Sequence, residues 1–307
     1  MLQDFEGKTA VLTGAGSGFG LACARVAARL GMRLVLVDVQ QDALDAAARE
    51  LSAAGASVLA RRVDVSDAAQ MEALAAEVQQ QWGAPHLVFN NAGVGAAGLV
   101  WENSLRDWEW VLGVNLWGVV HGVRLFTPLM LAAAQQDPQY RGHIVNTASM
   151  AGLVNMPNMG VYNVSKHAVV SLSETLYQDL RLVTEQVSAS VLCPYFVPTG
   201  IDQSQRNQPD ELASQPATAS QRIGMAMMGK AVRSGKVSAA QVAEAVFDAV
   251  RHDHFYIYSH PQALVNAQQR FDAVVAGSNP PDPFAQRPDI GQALRAELRA
   301  ARSADQG

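Results

Sequence analysis

The chain has 307 residues, of which 49% are hydrophobic and 17% charged, and its formal net charge at pH 7 is −5. A chain of this length and composition can bury the core of one large domain, which excludes disorder over its whole length. Acidic and basic residues are intermixed and form no basic footprint, so that we expect no nucleic-acid partner.

The N-terminus and the apolar segments bear on cellular location. Residues 1–6 are acidic and lack the basic and apolar regions of a signal peptide. The longest apolar stretch, residues 119–134, is interrupted by His121 and Arg124, and we interpret it as too short and too polar to span a bilayer. Two cysteines are too few for a disulfide framework or a metal cluster. We therefore expect a cytoplasmic protein with no membrane partner and no metal site.

Short apolar runs rich in β-branched residues alternate along the chain with longer, alanine-rich stretches of helical period. The predicted strands cover residues 9–12, 33–37, 57–63, 87–89, 143–146, 188–192 and 255–258. The predicted helices cover residues 18–30, 41–53, 68–82, 105–134, 160–184 and 239–250. Seven strands, mostly separated by single helices, predict an α/β fold with a doubly wound parallel sheet of the Rossmann type.

Two regions depart from this alternation. Residues 199–235 turn polar and contain Pro209 and Pro216, which predicts a long loop that is either functional or disordered. After the last strand come a helix-like segment, a proline-rich link and an amphipathic stretch, at residues 262–275, 279–283 and 290–301. We expect one Rossmann-type domain at residues 1–259, with a substrate loop at 195–236, followed by a C-terminal helical extension at 260–307.

A glycine-rich turn joins the first predicted strand to the first predicted helix. Glycine lets backbone N–H groups approach a pyrophosphate closely, and the helix N-terminus adds partial positive charge. A tight strand-to-helix turn would use glycine in any case, so that the turn alone is weak support for a nucleotide site. The residues of this turn predicted to contact a cofactor are Thr13, Gly14, Ser17, Gly18, Phe19 and Gly20.

The second predicted strand ends at Asp38, eighteen residues after Gly20. A carboxylate at this place can accept hydrogen bonds from the ribose hydroxyls of an adenosine and repels a 2′-phosphate. Neither the glycine turn nor Val39 and Gln40 offer a basic side chain that would favour a 2′-phosphate. Asp38 could also be an ordinary strand-end or capping residue, but together with the glycines it predicts NAD as the cofactor in preference to NADP.

Tyr162 and Lys166 lie four residues apart in a predicted helix, which puts them on one face and within reach of each other. A free tyrosine has a pKa of about 10, and a nearby ammonium group stabilises the phenolate. Such a tyrosine can exchange a proton near neutral pH, as alcohol oxidation or ketone reduction requires. The alternative is a coincidence of spacing or a surface contact between the cation and the ring.

Three further polar positions follow or interrupt apolar segments. Ser149 follows a predicted strand, where its hydroxyl would face the ligand crevice of a doubly wound fold. Considered alone, Ser149 is interpreted as a turn residue. Asn115 lies within an apolar helical stretch and is either a structural bridge or part of a water relay. Asn91 lies at another strand end, where a simple turn is the alternative.

This set of motifs resembles the short-chain dehydrogenases/reductases over residues 5–258. In order and approximate spacing, Asn115, Ser149, Tyr162 and Lys166 match the family's catalytic tetrad. By the same resemblance, the expected cofactor contacts beyond the glycine turn are Asp64 and Val65 at the adenine ring, Asn91, Ala92 and Gly93 beside the adenosine, and Pro194, Val197 and Thr199 at the nicotinamide.

The resemblance implies that Tyr162 is the acid and base and that Ser149 holds the substrate oxygen. It further implies that Lys166 binds the nicotinamide ribose and lowers the tyrosine pKa, while Asn115 holds a water that links Lys166 to solvent. In one respect the chain departs from the family: Tyr195 replaces the usual glycine after Pro194, and its ring could narrow the pocket or stack near the nicotinamide.

The resulting hypothesis is an NAD-dependent alcohol dehydrogenase or ketone reductase acting on a small molecule, assembled as a homo-oligomer (dimer or tetramer). The methionines Met225, Met227 and Met228 favour a bulky apolar or aromatic alcohol, although ordinary helix packing accounts for them equally well. The alternative is a catalytically silent dinucleotide-binding regulator on the same fold. An isomerase-like or dehalogenating activity is disfavoured by the retained glycines and Asp38.

Overall fold

A computed structural model describes residues 1–212 and 216–304 of the chain. Within them a parallel sheet is built from five inner strands whose side chains are almost all buried, as strands covered on both faces require, and from two edge strands that are more exposed. The strands, numbered β1 to β7, are Thr9–Thr13, Arg33–Asp38, Val58–Arg62, Leu87–Asn90, Gly142–Thr147, Val187–Cys193 and Tyr256–Tyr258. Each lies within two residues of its predicted range at either end.

The α-helices, numbered α1 to α10, are Gly18–Arg29, Gln41–Ala53, Ala68–Trp82, Leu105–Leu112, Gly118–Gln136, Gly160–Val183, Ala219–Arg233, Ala239–His252, Leu264–Ala276 and Pro288–Ala304. The residues Gly113–Trp117, between α4 and α5, form a π-helical turn, so that residues 105–136 are one continuous helix. Short 3₁₀ segments are Met150–Gly152, Gly200–Asn207, Asp210–Leu212 and Pro261–Ala263.

The strands are ordered β3-β2-β1-β4-β5-β6-β7, and all neighbours are parallel. The chain moves outward in one direction from β1 to β3 and then in the other from β4 to β7. The order therefore reverses between β1 and β4, and doubly wound sheets bind their ligands at the carboxyl ends of the strands beside such a reversal. The predicted Rossmann-type architecture is confirmed.

Two large apolar clusters cover the two faces of the sheet. One joins α1, α2 and α8 and includes Cys23 and Phe247, while the other joins α3, α5 and α6 and includes Phe126 and Met130. The two cysteines are free and buried, as core residues. The sheet is thereby held rigidly from both sides, which fixes the positions of the loops at its carboxyl edge.

The helix at residues 105–136 departs from the sequence analysis, which judged its apolar stretch too short and too polar to span a bilayer. It is long and apolar enough to cross a membrane by length and composition. In the fold one side of this helix packs on the sheet, with Phe126 and Met130 fully buried. The helix itself was predicted at residues 105–134, but the judgement on membrane crossing considered only residues 119–134, because His121 and Arg124 interrupt the apolar run there.

The prediction of a continuous loop at residues 199–235 is wrong. Most of its second half forms α7, which begins with a capping box formed by Thr218 and Gln221. The T-x-x-Q spacing of this box is a recognisable helix start, which the two glycines inside α7 obscured. Residues 213–215, which belong to the predicted loop, lie outside the described part of the chain.

The C-terminal segment contacts both sides of the carboxyl edge. Ala267 of α9 is buried against the cluster that contains Leu153 and Val154, and Arg270 of α9 donates a hydrogen bond to the carbonyl of Leu153. Helix α10 packs on α7, with Leu294 buried. The predicted helical extension therefore exists as two helices, and each is packed against a different part of the main domain.

Candidate active site

The glycine turn after β1 has a backbone that only glycine adopts without strain. Gly14 and Gly18 have φ values of +66° and +53°. A Cβ on Gly20 would overlap the carbonyl oxygen of Gly14, and one on Gly14 would lie 3.0 Å from Cα of Ala92. The turn therefore lies close against both α1 and the chain after β4, with the N-terminus of α1 opening into the cleft between them.

Thr13 joins the two strands at the point where the sheet order reverses. Its Oγ1 donates to the carbonyl of Phe89 at 3.3 Å and accepts from the backbone N–H groups of Asn91 and Ala92 at 2.8 and 3.0 Å. The side-chain amide of Asn91 donates in turn to the carbonyl of Thr13 at 2.9 Å. Thr13 thus acts through the backbone geometry of the cleft, and its own side chain lies behind the cleft wall.

Asp38 at the end of β2 holds the glycine turn in place. One carboxylate oxygen accepts from the backbone N–H of Gly16 at 2.8 Å, and the other accepts from that of Gln40 at 2.9 Å. A Cβ on Gly16 would lie only 2.9 Å from this carboxylate, so that the glycine makes room for it. Asp38 is therefore a structural residue of the turn and also a carboxylate that lines the cleft.

A cation near Asp38 was missed by the sequence reasoning. Arg62 ends β3, is paired in register with Asp38, and donates from Nε to the carbonyl of Val39 at 3.1 Å. Along the chain, the glycine turn and the neighbours of Asp38 contain no basic residue. The pairing of β2 with β3 brings Arg62 to the same edge of the sheet, and sequence spacing carries no signal of that register.

Lys166 is buried at the bottom of the cleft. Its ammonium Nζ donates to the carbonyl of Thr147, at the end of β5, at 3.0 Å and lies 5.7 Å from the centroid of the Tyr162 ring. Burial lowers the pKa of Lys166 to about 8. Around neutral pH the side chain is therefore largely protonated and places a positive charge at this point of the cleft.

Tyr162 reaches the cleft from the first turns of α6 and is 8% exposed. Burial raises its pKa to about 12, and a hydrogen bond with Ser149 opposes this shift. The lowered tyrosine pKa that the resemblance implies is thus not what the structure shows, because desolvation of the phenolate is the largest effect on this group. The hydroxyl of Ser149 also accepts from the backbone N–H of Ala151 at 3.1 Å.

Asn115 lies in the π-helical turn and uses its side chain to hold the chain after β4. Its Oδ1 accepts from the backbone N–H of Val94 at 2.8 Å, and its Nδ2 donates to the carbonyl of Val94 at 3.0 Å and to Oγ of Ser165 at 3.1 Å. Ser165, which the sequence reasoning did not single out, donates to the carbonyl of Tyr162 at 2.8 Å. The amide is therefore a structural bridge between three segments of the site.

The segment after β6 closes the cleft from the other side. Pro194 and Thr199 line it, whereas the side chain of Val197 is buried in the core. The ring of Tyr195 packs on Phe196 and His260, with centroids 4.4 and 5.8 Å apart, and is not part of the cleft lining. The departure from the family at this position therefore contacts the C-terminal segment, contrary to the expectation that it narrows the pocket.

One continuous cleft collects most of the predicted cofactor residues. Those that line it are Gly14, Ser17, Gly18, Phe19, Asp38, Asp64, Val65, Asn91, Ala92, Gly93, Tyr162, Lys166, Pro194 and Thr199. Three further residues lie behind the cleft wall and hold its backbone segments in position: Thr13, Gly20 and Asn115. Residues that the sequence did not indicate also line the cleft, among them Trp110, Ser204 and Arg206.

An apolar cluster lies beside the segment that follows β6. It joins Met228 and Val232 of α7 to Ala97 and is flanked by Phe196, Ile201, Met159 and Met225. A Cβ on Gly95 would lie 3.1 Å from the sulfur of Met228, so that α7 lies directly against the chain after β4. Two of the three methionines singled out in the sequence thus belong to one apolar wall.

Comparisons with known proteins agree with this geometry. Residues 8–210 match a family model described as short chain dehydrogenase. The chain is 31% identical to a CLA biosynthesis dehydrogenase/reductase of Lactiplantibacillus plantarum, over 91% of this chain and 97% of the relative. It is 35% identical to a 1-deoxy-11-beta-hydroxypentalenate dehydrogenase of Streptomyces exfoliatus, over 87% and 88%.

A solved structure is more similar still. It is a short chain dehydrogenase/reductase from Burkholderia phymatum in complex with NAD, 50% identical to this chain. The match covers 92% of this chain and 99% of the other, with a TM-score of 0.88.

Proposed function

The chain belongs to the short-chain dehydrogenase family and is an oxidoreductase, and from this premise we propose that it uses NAD to interconvert a secondary alcohol and a ketone, with Tyr162 as acid and base. The observation that carries the proposal is that the glycine turn, Asp38 and the Tyr162–Lys166 pair line one cleft. A nicotinamide bound there supplies the hydride acceptor or donor.

The chain's own groups fit a dinucleotide. The turn at Gly14 and Gly18 leaves out the Cβ atoms that would fill the space beside the backbone, as close approach by a pyrophosphate requires. The N-terminus of α1 opens at the same place and favours negative charge. Asp38 retains lone pairs on a carboxylate that is already oriented by two backbone donors, so that it can accept from ribose hydroxyls.

The proton steps fall to three side chains. Tyr162 takes the proton of the alcohol during oxidation and returns it during reduction, at its phenolic oxygen. Ser149 lies within hydrogen-bonding reach of that oxygen and orients the substrate hydroxyl or carbonyl. Lys166, held by the carbonyl of Thr147, provides the positive charge that stabilises the phenolate and a donor toward a ribose hydroxyl.

The negative charge of Asp38 favours NAD over NADP as the cofactor. A carboxylate beside the 2′-position accepts from a hydroxyl and repels a phosphate. Arg62 stands nearby as the opposing charge, but its Nε is engaged by the carbonyl of Val39. The NAD complex of the structure from Burkholderia phymatum supports the same choice.

A bulky, apolar substrate is supported by the methionines of the wall. Met225 and Met228 pack with Phe196 beside the segment that follows β6, and methionine adapts to irregular apolar shapes. The pentalenate named for the Streptomyces exfoliatus relative would suit such a wall, as would an apolar chain or ring.

As assembly we propose a homo-oligomer, with the outer face of α5 and α6 as the contact between copies. Trp117, in the π turn directly before α5, and Val164 of α6 are 53% and 47% exposed, and the helix at residues 105–136 contains an apolar window of 18 residues. A second copy is the occupant that would cover this face. Light scattering of the purified protein tests this assembly, and a strictly monomeric mass contradicts it.

As cellular location we propose the cytoplasm.

The experiment that tests the function is a screen of secondary alcohols with NAD and of ketones with NADH, followed at the nicotinamide absorbance. Turnover of any member supports the proposal. Binding of NAD by calorimetry with no turnover across apolar, aromatic and small alcohols would instead favour the silent dinucleotide-binding regulator.

A further inference from the structure

The 3₁₀ segment Gly200–Asn207 carries a cation over the dinucleotide cleft. Arg206 lines the cleft together with Ser17, Gly18 and Phe19 of the glycine turn, although the two stretches are almost 190 residues apart in the chain. Arg206 belongs neither to the glycine turn nor to the residues proposed to transfer the proton, so that its position in the cleft has no role in the proposed function as stated above.

The position of the segment is set by hydrogen bonds and packing. The buried hydroxyl of Ser204 accepts from the backbone N–H of Gly95 at 2.8 Å and donates to the carbonyl of Ile201 at 2.8 Å. Gly95 belongs to the chain that leaves β4, at the reversal of the sheet order. The segment is thereby fastened to the rigid edge of the sheet and is not a free loop.

Two close approaches place the guanidinium near the glycine turn. A Cβ on Gly18 would lie 3.4 Å from Cβ of Thr199, so that Thr199 faces the N-terminus of α1. A Cβ on the next residue, Gly200, would lie 3.3 Å from Nη2 of Arg206. The arginine therefore folds back over the start of its own segment, where that segment meets the glycine turn.

Within the described part of the chain, Arg206 has no carboxylate as an ion-pair partner. Asp202, the acidic residue of the Gly200–Asn207 segment, has a side chain only 6% exposed and is paired with Arg233 of α7 at 2.5 Å. Among the side chains that the structure describes, no carboxylate forms an ion pair with Arg206 within 4.0 Å, and its guanidinium donates to the amide oxygen of Gln203 at 3.0 Å.

We propose that Arg206 is a pyrophosphate-binding residue, which completes from the substrate side the anion site that the glycine turn begins. The inference rests on the proposed dinucleotide function of the cleft. A guanidinium forms strong, charge-assisted hydrogen bonds with phosphate oxygens, and a pyrophosphate offers two negative charges at the point that the α1 N-terminus already favours.

The test compares the parent with Arg206→Gln, Arg206→Lys and Arg222→Gln by calorimetry. Arg222 of α7 is the matched control, since it carries the same charge but donates to the carbonyl of Ala217 and does not line the cleft. The probes are ADP-ribose, which contains the pyrophosphate without the nicotinamide, and adenosine, measured by competition against ADP-ribose.

We expect Arg206→Gln to weaken ADP-ribose binding about tenfold and to flatten its dependence on salt concentration. Adenosine binding should remain within about twofold of the parent, Arg206→Lys should retain part of the affinity, and Arg222→Gln should behave as the parent. These differences measure a contact with the pyrophosphate and not the general integrity of the segment.

Three results would overturn the inference. If Arg206→Gln binds ADP-ribose with unchanged affinity, whether or not the substrate KM rises, the proposed pyrophosphate contact is refuted and the dinucleotide function of the cleft stands. An equal loss for adenosine and ADP-ribose shows that Arg206 only supports the fold of the segment. A parent protein that binds no ADP-ribose refutes the cofactor site itself, and with it both proposals.

Discussion

The two sides of the cleft are held in different ways. On the cofactor side the backbone dominates: the glycine turn has positive φ angles, Asp38 holds it through the backbone N–H of Gly16, and Thr13 holds the adjoining chain after β4 through the backbone N–H of Asn91. On the substrate side, side chains connect segments more than 100 residues apart, such as Ser204 with Gly95, and Ser220 with Glu102 at 2.6 Å. A binding site can thus combine a local motif with a wall that exists only through long-range contacts.

This difference has a physical origin. A pyrophosphate is recognised by backbone dipoles and close approach, which a few glycines in a short turn provide. An apolar substrate is recognised by shape, and a shaped wall needs side chains from several elements. Substitutions on the cofactor side should therefore alter cofactor use or chemistry. Those in the apolar wall should alter mainly the substrate constants, and Arg206 is the one residue of the substrate side for which we expect an effect on the cofactor.

The largest expected effect belongs to the proton carrier between the two sides. Tyr162→Phe should lower kcat by roughly 10²- to 10⁴-fold while leaving NAD affinity within about twofold, because only the phenolic oxygen is removed. Steady-state rates and calorimetry measure the two quantities. Tyr177→Phe is the control, since Tyr177 lies on the same helix and packs on Phe255 away from the cleft. Residual activity within about tenfold of the parent would refute the role of Tyr162.

The pH dependence gives the next largest effect and separates the two reaction directions. Burial raises the pKa of Tyr162 to about 12 in the free protein, so that the phenolate needed for oxidation becomes more populated as pH rises. We expect kcat/KM for alcohol oxidation to rise by about tenfold or more between about pH 6 and about pH 9. Ketone reduction uses the protonated phenol and should stay level or fall. Oxidation that slows with rising pH would contradict the assignment.

The cofactor side can be probed through Asp38. The parent should prefer NAD over NADP by at least about tenfold in kcat/KM, because two like charges ~4 Å apart at an effective dielectric of ~20 repel by about 4 kcal/mol before relaxation and screening. Asp38→Ala should shrink this ratio, but it also removes the acceptor for Gly16 and Gln40 and should weaken NAD itself.

Asp38→Asn sharpens the same comparison. It removes the charge and keeps one acceptor oxygen, so that the ratio should shrink with a smaller loss of NAD affinity, helped by Arg62 nearby. Asp42→Asn, an exposed carboxylate in the first turn of α2, is the matched control. Equal use of NAD and NADP by the parent would show that this interpretation of Asp38 is wrong.

The smallest effect is expected at the far end of the substrate side. Deleting the chain beyond Ser278 removes α10, which packs on α7, and should shift the substrate KM several-fold or alter the oligomeric state while NAD affinity stays within about twofold. Leu294→Ala, which empties a buried contact of α10, should move the KM in the same direction. Val275→Ala, at an exposed position of α9, is the control. A truncated protein that does not fold or bind NAD would make the extension part of the core.

Local patterns in the sequence determined the strands, the glycine turn, Asp38, and the Tyr162–Lys166 pair. Each of these rests on spacing within one element or on a conformation that one residue type permits, and such constraints are written along the chain. The alternation of β-branched runs with helical stretches likewise predicted the doubly wound sheet, because the period of apolar residues differs between strands and helices.

Only the tertiary structure decided the rest. Arg62 reaches Asp38 through the register of two strands, Ser165 joins Asn115 through a π turn, and Arg206 reaches the glycine turn through a segment fastened to Gly95. Burial, which raises the pKa of Tyr162 above its ordinary value, is likewise a property of the packed molecule. Contacts between distant segments depend on how the layers pack together, and no spacing along a single chain records that packing.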